Sequence, residues 1–373
     1  MAHEISIREN GRAEMAYTGE VPWHGLGQSL AVGASIEEWI AAAGMDWRIC
    51  RSRVRYATSP ATATDAGTWG AVDDRVVLLR SDTKAALGIV SDDYQIVQPR
   101  AVVEFFRDLT ESLGFTMETA GVLFGGKRFW ALAATGDAGS IADPADQVAG
   151  YLMLSTSSDG SLATEGRYTT VRVVCHNTLS LARRDDAAKV RVAHRSAFRP
   201  ETVKAELGIE QAQSRFDAAM ADFRRMAEAP ISGPEVIENT GRVFIPGWSD
   251  MKPEDKARAI SRATSPVQAV ARLAIDGTAR GASLDGVDGT VWGWLNACTE
   301  YVDHAARAKT VDNRLNSAWF GNGAAVKQAA YEQAIVLADG TQKYVPRHRR
   351  PVTVPADDGA GLLDSVLLAT AAA

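Results

Sequence analysis

The sequence has few of the residues that build metal-bound or disulfide-linked frameworks. It has three cysteines and six histidines in 373 residues, and Cys50, Cys175 and Cys298 lie far apart in the chain. None of them has the close spacing of a zinc site or a redox dithiol. The cysteines are therefore interpreted as reduced thiols, and no metal or other cofactor is predicted.

The sequence also lacks a long hydrophobic run and an excess of positive charge. No apolar stretch reaches the roughly 20 residues that span a bilayer, and the N-terminal residues lack the basic and apolar regions of a signal peptide. Because 40 Lys and Arg stand against 46 Asp and Glu, the net charge is −6. That balance argues against a surface that binds nucleic acid all over and leaves room only for a local basic groove. We expect a cytoplasmic protein with no membrane partner.

Turn residues between strand-like runs predict an antiparallel sheet in the N-terminal half. Two glycines together, or Asp followed by Gly, suit the turn of a hairpin because glycine accepts a positive φ. In this half of the chain such residue pairs separate runs that are rich in Val, Ile, Leu and aromatic residues. The predicted turns are Ser81-Asp82, Gly125-Gly126 and Asp159-Gly160.

Helices are predicted on either side of these strands. Ser35 and Glu38 have the spacing of a capping box at the start of a short helix, and Pro99 begins an amphipathic helix that ends at Gly114. The stretch "VRVVCHNTLSLARR", residues 171–184, is interpreted as a helix after the last strand. Helix, antiparallel strands and helix in this order indicate an α+β fold rather than an alternating parallel sheet.

From residue 201 the pattern becomes mainly helical. Apolar side chains at three- and four-residue spacing predict a long helix over 201–229. The further helices predicted are 252–274, 287–308 and 313–336. Five aromatic side chains in this half are expected in its core: Trp292, Trp294, Tyr301, Trp319 and Phe320. The sequence is predicted to divide into an α+β domain over 1–200, a mainly helical region over 201–345, and a tail over 346–373. A stretch rich in basic residues, 166–204, lies at the end of the first domain.

Two places carry residues suited to catalysis. His24 lies in "PWHGLG", where a catalytic role competes with that of a loop anchored by the neighbouring Pro and Trp. Glu300 and His304 are four residues apart on a predicted helix and so share a face, with Asp303 beside them. A metal site usually needs a third ligand, which is not visible in the sequence. A hydrogen-bonded Glu300–His304 pair that holds the helix is the alternative.

The main electrostatic feature is a cluster of positive charge between residues 166 and 204. That stretch contains nine basic and three acidic residues, whereas the chain as a whole is acidic. Aromatic residues are interleaved with them, including Tyr168, His194 and Phe198, and cations with rings are what a groove for single-stranded nucleic acid uses. A solvated charged surface without a ligand is the alternative. The candidate DNA-binding residues are Arg167, Arg172, Arg183, Arg184, Lys189, Arg191, Arg195 and Arg199.

Three stretches together resemble a known family. "PWHGLG", "VRVVCHNTLSLA" followed by "VAHRS", and "WGWLNACTEYVDHAARAK" followed by "RLNSAWFGNGAAVKQAA" are similar to phage- and plasmid-like proteins of a domain-of-unknown-function class found in bacteriophages and mobile elements. The order of elements over 99–184 also resembles the core of phage single-strand annealing proteins, in which a sheet and the following helix form a basic groove for DNA. That resemblance implies a single-stranded DNA partner and a chain that can form a homo-oligomer.

The sequence therefore favours a binding protein over an enzyme. The leading hypothesis is a phage- or prophage-encoded protein of nucleic-acid metabolism that binds single-stranded DNA and anneals strands in recombination, without a cofactor. One alternative is a metal-assisted hydrolase with a pocket around His24, Glu300 and His304. The other is a structural or host-interaction protein.

Overall fold

The chain forms two compact units that together have the predicted α+β fold. A computed structural model describes residues 5–19, 26–59, 67–174, 177–180, 189–262, 265–308 and 311–340. The first unit comprises Met1–Gly136, Tyr151–Arg167 and Ala187–Ile209, and the second comprises Asp137–Gly150, Tyr168–Asp186 and Glu210–Ala373. The predicted tail over 346–373 lies outside the described residues.

Most strands belong to one mainly antiparallel sheet. The strands are β1 (Met15–Tyr17), β2 (Gln28–Ser29), β3 (Ile49–Ser59), β4 (Thr68–Arg80), β5 (Ala86–Ser91), β6 (Thr116–Leu123), β7 (Arg128–Ser140), β8 (Gln147–Ser157), β9 (Thr164–Arg172), β10 (Asn177–Ser180) and β11 (Lys189–Val192). The larger sheet has the order β10-β9-β8-β7-β6-β1-β2, and β11 also pairs with β9. Strands β3, β4 and β5 form a separate antiparallel sheet within the first unit.

The helices are concentrated in the second half of the chain. They are α1 (Ile36–Ala42), α2 (Pro99–Glu104), α3 (Arg107–Ser112), α4 (Pro200–Leu207), α5 (Ala212–Glu228), α6 (Gly233–Phe244), α7 (Pro253–Ile260), α8 (Pro266–Ile275), α9 (Val291–Glu300), α10 (Val311–Phe320) and α11 (Asn322–Ala338). A π-helical turn, Tyr301–Ala305, extends α9.

The local signals at caps and turns are confirmed. The Glu38 backbone N–H donates to the Ser35 hydroxyl over 3.3 Å, and the Ser35 N–H donates to the Glu38 carboxylate over 2.8 Å, which completes the capping box of α1. Each of the three predicted turns joins the strands expected of it, namely β4 to β5, β6 to β7 and β8 to β9. Gly126 has a φ of 106°, and a Cβ there would lie 2.9 Å from the Trp47 ring. Both its conformation and its surroundings therefore require glycine.

The helix predicted over 171–184 is wrong at its described residues, 171–174 and 177–180; the others lie outside the described part of the chain. Strand β9 continues to Arg172, and residues 177–180 form β10, which pairs antiparallel with β9. The β-branched residues at 169–174 suit a strand, and the neighbouring strand supplies hydrogen-bond partners that a helix would not need. Apolar spacing alone could not distinguish the two structures over so short a run.

Several predicted helices are shorter than expected. The helix from Pro99 is interrupted at Phe105 and Phe106, whose buried rings pack edge to face with centroids 5.1 Å apart. The helix over 201–229 is divided at Gly208, which ends α4 in the left-handed conformation with a φ of 57°. Helix α6 was not predicted, although Ser232 and Glu235 form a second capping box at its start. The glycine and proline beside that box had favoured a loop.

Helix α9 lies at the centre of the second unit. Every residue of it is buried, and it contacts α5, α8 and α11. Its two tryptophans, Trp292 and Trp294, and the adjoining Tyr301 are buried as predicted, while Trp319 and Phe320 are half-buried. Burial of these large rings accounts for much of the apolar area that stabilises this unit.

Candidate nucleic-acid interface

Arg167 lies on β9 in the first unit and is held inside it. Its side chain is 10% exposed, and its guanidinium lies 3.3 Å from the Glu165 carboxylate. Burial lowers the pKa of Arg167, because the charged form is less well solvated than in water. A phosphate could reach this guanidinium only if the side chain left its present environment.

Arg172 belongs to a buried ion pair in the second unit. Its Nε and Nη2 atoms donate to the two carboxylate oxygens of Asp146 over 2.5 and 2.9 Å, and its side chain is 3% exposed. The indole N–H of Trp292 donates to the same carboxylate over 2.9 Å. This two-pronged geometry is that of a strong charge-assisted pair. Arg172 therefore stabilises the core of its unit and presents no charge to solvent.

Four of the predicted residues occupy a short segment of the first unit that is exposed. We call residues 189–199, "KVRVAHRSAFR", the basic segment; it carries four cations and no Asp or Glu. Arg191, Arg195 and Arg199 are exposed, and within the described part of the chain none of them has an ion-pair partner. Lys189 is 43% exposed and lies 2.9 Å from Glu165. The two remaining candidates, Arg183 and Arg184, lie outside the described residues.

Strand pairing fixes the first part of the basic segment. Val190 of β11 pairs with Gly166 of β9 and is buried, so Lys189 and Arg191 project to the opposite face. A Cβ at Gly166 would lie 2.8 Å from Leu207 of α4, so the absence of a side chain there lets the strand and the helix approach closely. Lys189 and Arg191 therefore project from a strand whose other face is packed.

His194 fixes the second part of the basic segment. Its Nδ1 lies 2.9 Å from the Gln95 carbonyl oxygen and its Nε2 lies 3.1 Å from the Leu162 carbonyl oxygen. Its ring stacks on Tyr94 with centroids 4.4 Å apart, and its own carbonyl accepts the Gln95 N–H over 2.6 Å. Burial lowers the pKa of His194, although the two carbonyls partly offset this. The histidine is a neutral anchor that leaves Arg195 directed to solvent.

The aromatic residues that the sequence suggested as base-stacking groups do not present open rings. Tyr168 is buried in the second unit, His194 is occupied as described, and Phe198 is half-buried beside Phe105 with ring centroids 6.4 Å apart. Rings that pack against their own protein have no free face for a base. Stacking groups, if the first unit has them, must come from elsewhere.

Exposed aromatic residues occur instead on the sheet formed by β3, β4 and β5. Trp69 is 62% exposed and Tyr56 is 54% exposed, and Arg53 and Arg55 beside them are exposed as well. Sequence reasoning missed these residues. The signal that could have found them is "RSRVRY" at 51–56, where arginines alternate along a strand and a tyrosine follows.

Hydrogen bonds connect that sheet to the basic segment. The guanidinium of Arg51 on β3 donates to the Tyr94 carbonyl and, over 2.6 Å, to the Asp92 carbonyl. Tyr94 in turn stacks on His194, so Arg51 and the basic segment both contact Tyr94, one at its carbonyl and the other at its ring. Both cationic features therefore belong to one region of the first unit.

The residues of the predicted hydrolase pocket are engaged in contacts within the second unit. Glu300 accepts the Arg280 backbone N–H over 2.9 Å. Asp303 accepts from the Lys327 ammonium over 2.6 Å in a pair that is almost fully buried, and the His304 carbonyl accepts from Arg314. Among the described residues no three His, Cys, Asp or Glu side chains are grouped as metal ligands. His24 lies outside those residues.

The chain belongs to a family whose members share a domain of unknown function (DUF932). The family match covers residues 86–319, which is more than half of the chain. It includes the basic segment and α9, and it begins after β4. No curated protein and no solved structure matches the sequence. Across the described residues, no helix has the length and apolar character needed to cross a membrane.

Proposed function

We propose that this protein binds single-stranded DNA through the basic segment. The observation that carries the proposal is that Arg191, Arg195 and Arg199 are exposed and have no acidic partner among the described residues. An arginine without a carboxylate partner is free to bind phosphate, which its planar guanidinium fits with two hydrogen bonds. The segment is therefore suited to the DNA backbone.

The contacts that fix the backbone of the basic segment favour a role in binding over that of a charged surface without a ligand. Val190 packs beneath the strand and His194 is held by two carbonyls and a stacked ring. Side chains that project from an anchored backbone lose less conformational entropy on binding than those of an unanchored loop. Phosphate contacts of this kind are independent of base sequence and are weakened by salt, because binding releases counterions.

The proposed setting is strand annealing in the recombination of a phage or mobile element. The support for it is the resemblance of the three sequence stretches to phage- and plasmid-like proteins, together with the antiparallel sheet to which β11 of the basic segment belongs. An annealing protein must leave the hydrogen-bonding edges of the bases free to pair, and contacts to the backbone or to a base face both allow this. Acceleration of the pairing of two complementary oligonucleotides, and a molar mass above that of one chain in solution, are the expected results.

The first experiment measures binding of a fluorescently labelled single-stranded oligonucleotide by anisotropy over a series of salt concentrations. The variant is Arg191→Gln, Arg195→Gln, Arg199→Gln. The control is Lys252→Gln, Arg258→Gln, Arg262→Gln, which removes the same charge from exposed positions of the second unit. A single-stranded RNA of the same length is measured in parallel.

The wild type and the control should bind alike, and their affinity should fall steeply with salt. The segment variant should bind more weakly, and the slope of log affinity against log salt should decrease by about 2, since each lost contact to a single strand contributes about 0.7. An equal loss in both variants would show that only total charge matters. No binding by the wild type at low salt, or binding of RNA alone, would also overturn the proposal.

A further inference from the structure

Strands β3 and β4 extend beyond the rest of their sheet as a two-stranded ribbon. We call residues 54–59 and 68–74, which lie beyond the pairing with β5, the outer ribbon; every one of them is exposed or half-buried. A two-stranded ribbon that is solvated on both faces is only marginally stable by itself. Exposed Trp69 and Tyr56 on such an element therefore call for an explanation other than packing.

The pairing register separates the two aromatic residues. Ala57 pairs with Trp69 and Arg55 pairs with Ala71, so Arg55 and Trp69 are diagonal neighbours on one face. Tyr56 pairs with Gly70 and lies on the other face. Ala57 and Ala71, which lie beside Trp69 on its own face, have small side chains, and Trp69 is 62% exposed.

Tyr56 has a different role from Trp69. A Cβ on Gly70 would lie 2.6 Å from the Tyr56 ring, so the ring rests directly on the glycine backbone. The hydroxyl of Ser59 accepts the Thr68 N–H over 2.9 Å and closes the described end of the ribbon. These contacts stiffen the ribbon. Trp69 is the ring whose face is open.

Strand β3 carries exposed arginines toward Trp69, and β4 carries the exposed carboxylate of Asp73 at the alternate position after Trp69 and Ala71. Arg51, Arg53 and Arg55 occupy alternate positions of β3; Arg51 is hydrogen-bonded to the Asp92 and Tyr94 carbonyls, and the pairing with β4 shifts in register after Arg53. Arg53 and Arg55 have no ion-pair partner among the described residues, because the nearby Asp74 is paired with Arg75 over 2.9 Å. The six steps along the strand from Arg51 to Ala57, the position opposite Trp69, span about 20 Å. The row runs outward from the contact with Tyr94 to the indole.

We infer that the outer ribbon continues the proposed DNA-binding surface and that Trp69 stacks on a base of the bound single strand. The inference rests on the proposed function. A row of cations that ends in an open aromatic ring matches the alternation of phosphates and bases in a single strand, in which any base offers a ring face. A second copy of this chain is a poorer occupant, because the unpaired arginines of two ribbons would repel each other.

Stacking by Trp69 is tested with the full chain and a labelled oligothymidine. Trp69→Ala should weaken binding by about 5- to 100-fold, the range found when a ring that stacks on one base is replaced by alanine. The salt slope should stay that of the wild type, because no phosphate contact is lost. Trp69→Phe should retain most of the affinity. Val32→Ala, at an exposed apolar position of the same unit outside this sheet, is the matched control and should bind like the wild type.

A second ligand separates stacking from backbone binding. An abasic strand of the same length has the phosphates and no bases, so the wild type and Trp69→Ala should bind it equally. If Trp69→Ala binds oligothymidine as tightly as the wild type while the basic-segment variant is still impaired, the inference fails and the proposed function stands. If Trp69→Ala changes the molar mass of the protein and leaves the affinity unchanged, the ribbon is an interface between copies. If the wild type binds no oligonucleotide, both fail.

Discussion

At the scale of the residue, His194 connects the basic segment to the rest of its unit. One ring nitrogen lies near each of two backbone carbonyls, and the ring stacks on Tyr94. A neutral imidazole has one N–H and can donate to one carbonyl, whereas an imidazolium could donate to both. Burial nonetheless holds the pKa of His194 below its ordinary value, because the charged ring loses its hydration.

The free energy of unfolding should therefore depend on pH through His194. Below about pH 6.5 the unfolded chain takes up a proton at this position before the folded chain does, so the stability falls as the pH falls. Urea unfolding at pH 8, 7, 6 and 5 measures the slope. His194→Gln should be less stable than the wild type at pH 8 and should show a smaller decline between pH 7 and pH 5.

Equal declines in the two proteins would contradict this prediction. A rise in stability of the wild type on acidification would also contradict it. That result would mean that the two carbonyls raise the pKa of His194 by more than burial lowers it. DNA binding at the same pH values is a useful companion measurement, because loss of the anchor should impair the basic segment as well.

Two arginines of the same basic stretch, Arg172 and Arg191, have different roles because their surroundings differ. Arg172 forms two hydrogen bonds with Asp146 inside the second unit, while Arg191 is exposed on the first. Both were candidates for phosphate binding, because sequence counts charges and does not show which ones are already paired. The partner Asp146 lies 26 residues before Arg172 and was not suspected.

At the scale of the element, structure was predictable where two short-range signals agreed. The first helix has both members of a capping box, and the hairpin of β6 and β7 has two glycines between two strand-like runs. The stretch at 171–184 had only an apolar spacing that fits a helix and a strand about equally. Pairing with β9 decided between them, and a pairing partner is not a local property.

Replacement of the first cap tests the local signal. Ser35→Ala should lower the free energy of unfolding by about 1 kcal/mol, because the Glu38 N–H loses its acceptor, while Ser35→Gly should cost only a few tenths of that. Chemical denaturation of each variant measures the difference. Ser29→Ala, at an exposed serine outside any cap, should have almost no effect. A loss as large in Ser29→Ala as in Ser35→Ala would refute the capping explanation.

At the scale of the whole molecule, the distribution of charge matters more than its sum. The chain has a net charge of −6, yet the basic segment carries four cations without an acidic residue. A chain with net negative charge repels DNA away from its cationic positions, so we expect binding to be confined to the basic segment and the outer ribbon. Such confinement is the expected difference between the proposed binding mode and that of a protein that binds DNA over its whole surface.

The combination of the basic segment and the outer ribbon should give a preference for single strands. A duplex offers phosphates to the segment, but its bases are stacked on each other and not open to Trp69. A single-stranded oligonucleotide should therefore bind about tenfold or more tightly than a duplex of the same sequence, and Trp69→Ala should reduce this difference. Competition between the two in an anisotropy assay gives the ratio. Equal affinities would mean that only phosphates are recognised.

The sequence by itself determined the α+β class, the capped first helix, the three turns and the buried aromatic residues of α9. Caps, glycine turns and apolar periodicity act over a few residues, so the chain needs no distant partner to express them. Only the tertiary structure decided which cations are exposed and which aromatic rings are open. Exposure depends on partners far away in the chain, as Asp146 is for Arg172, and on the projection of the outer ribbon that leaves Trp69 in solvent.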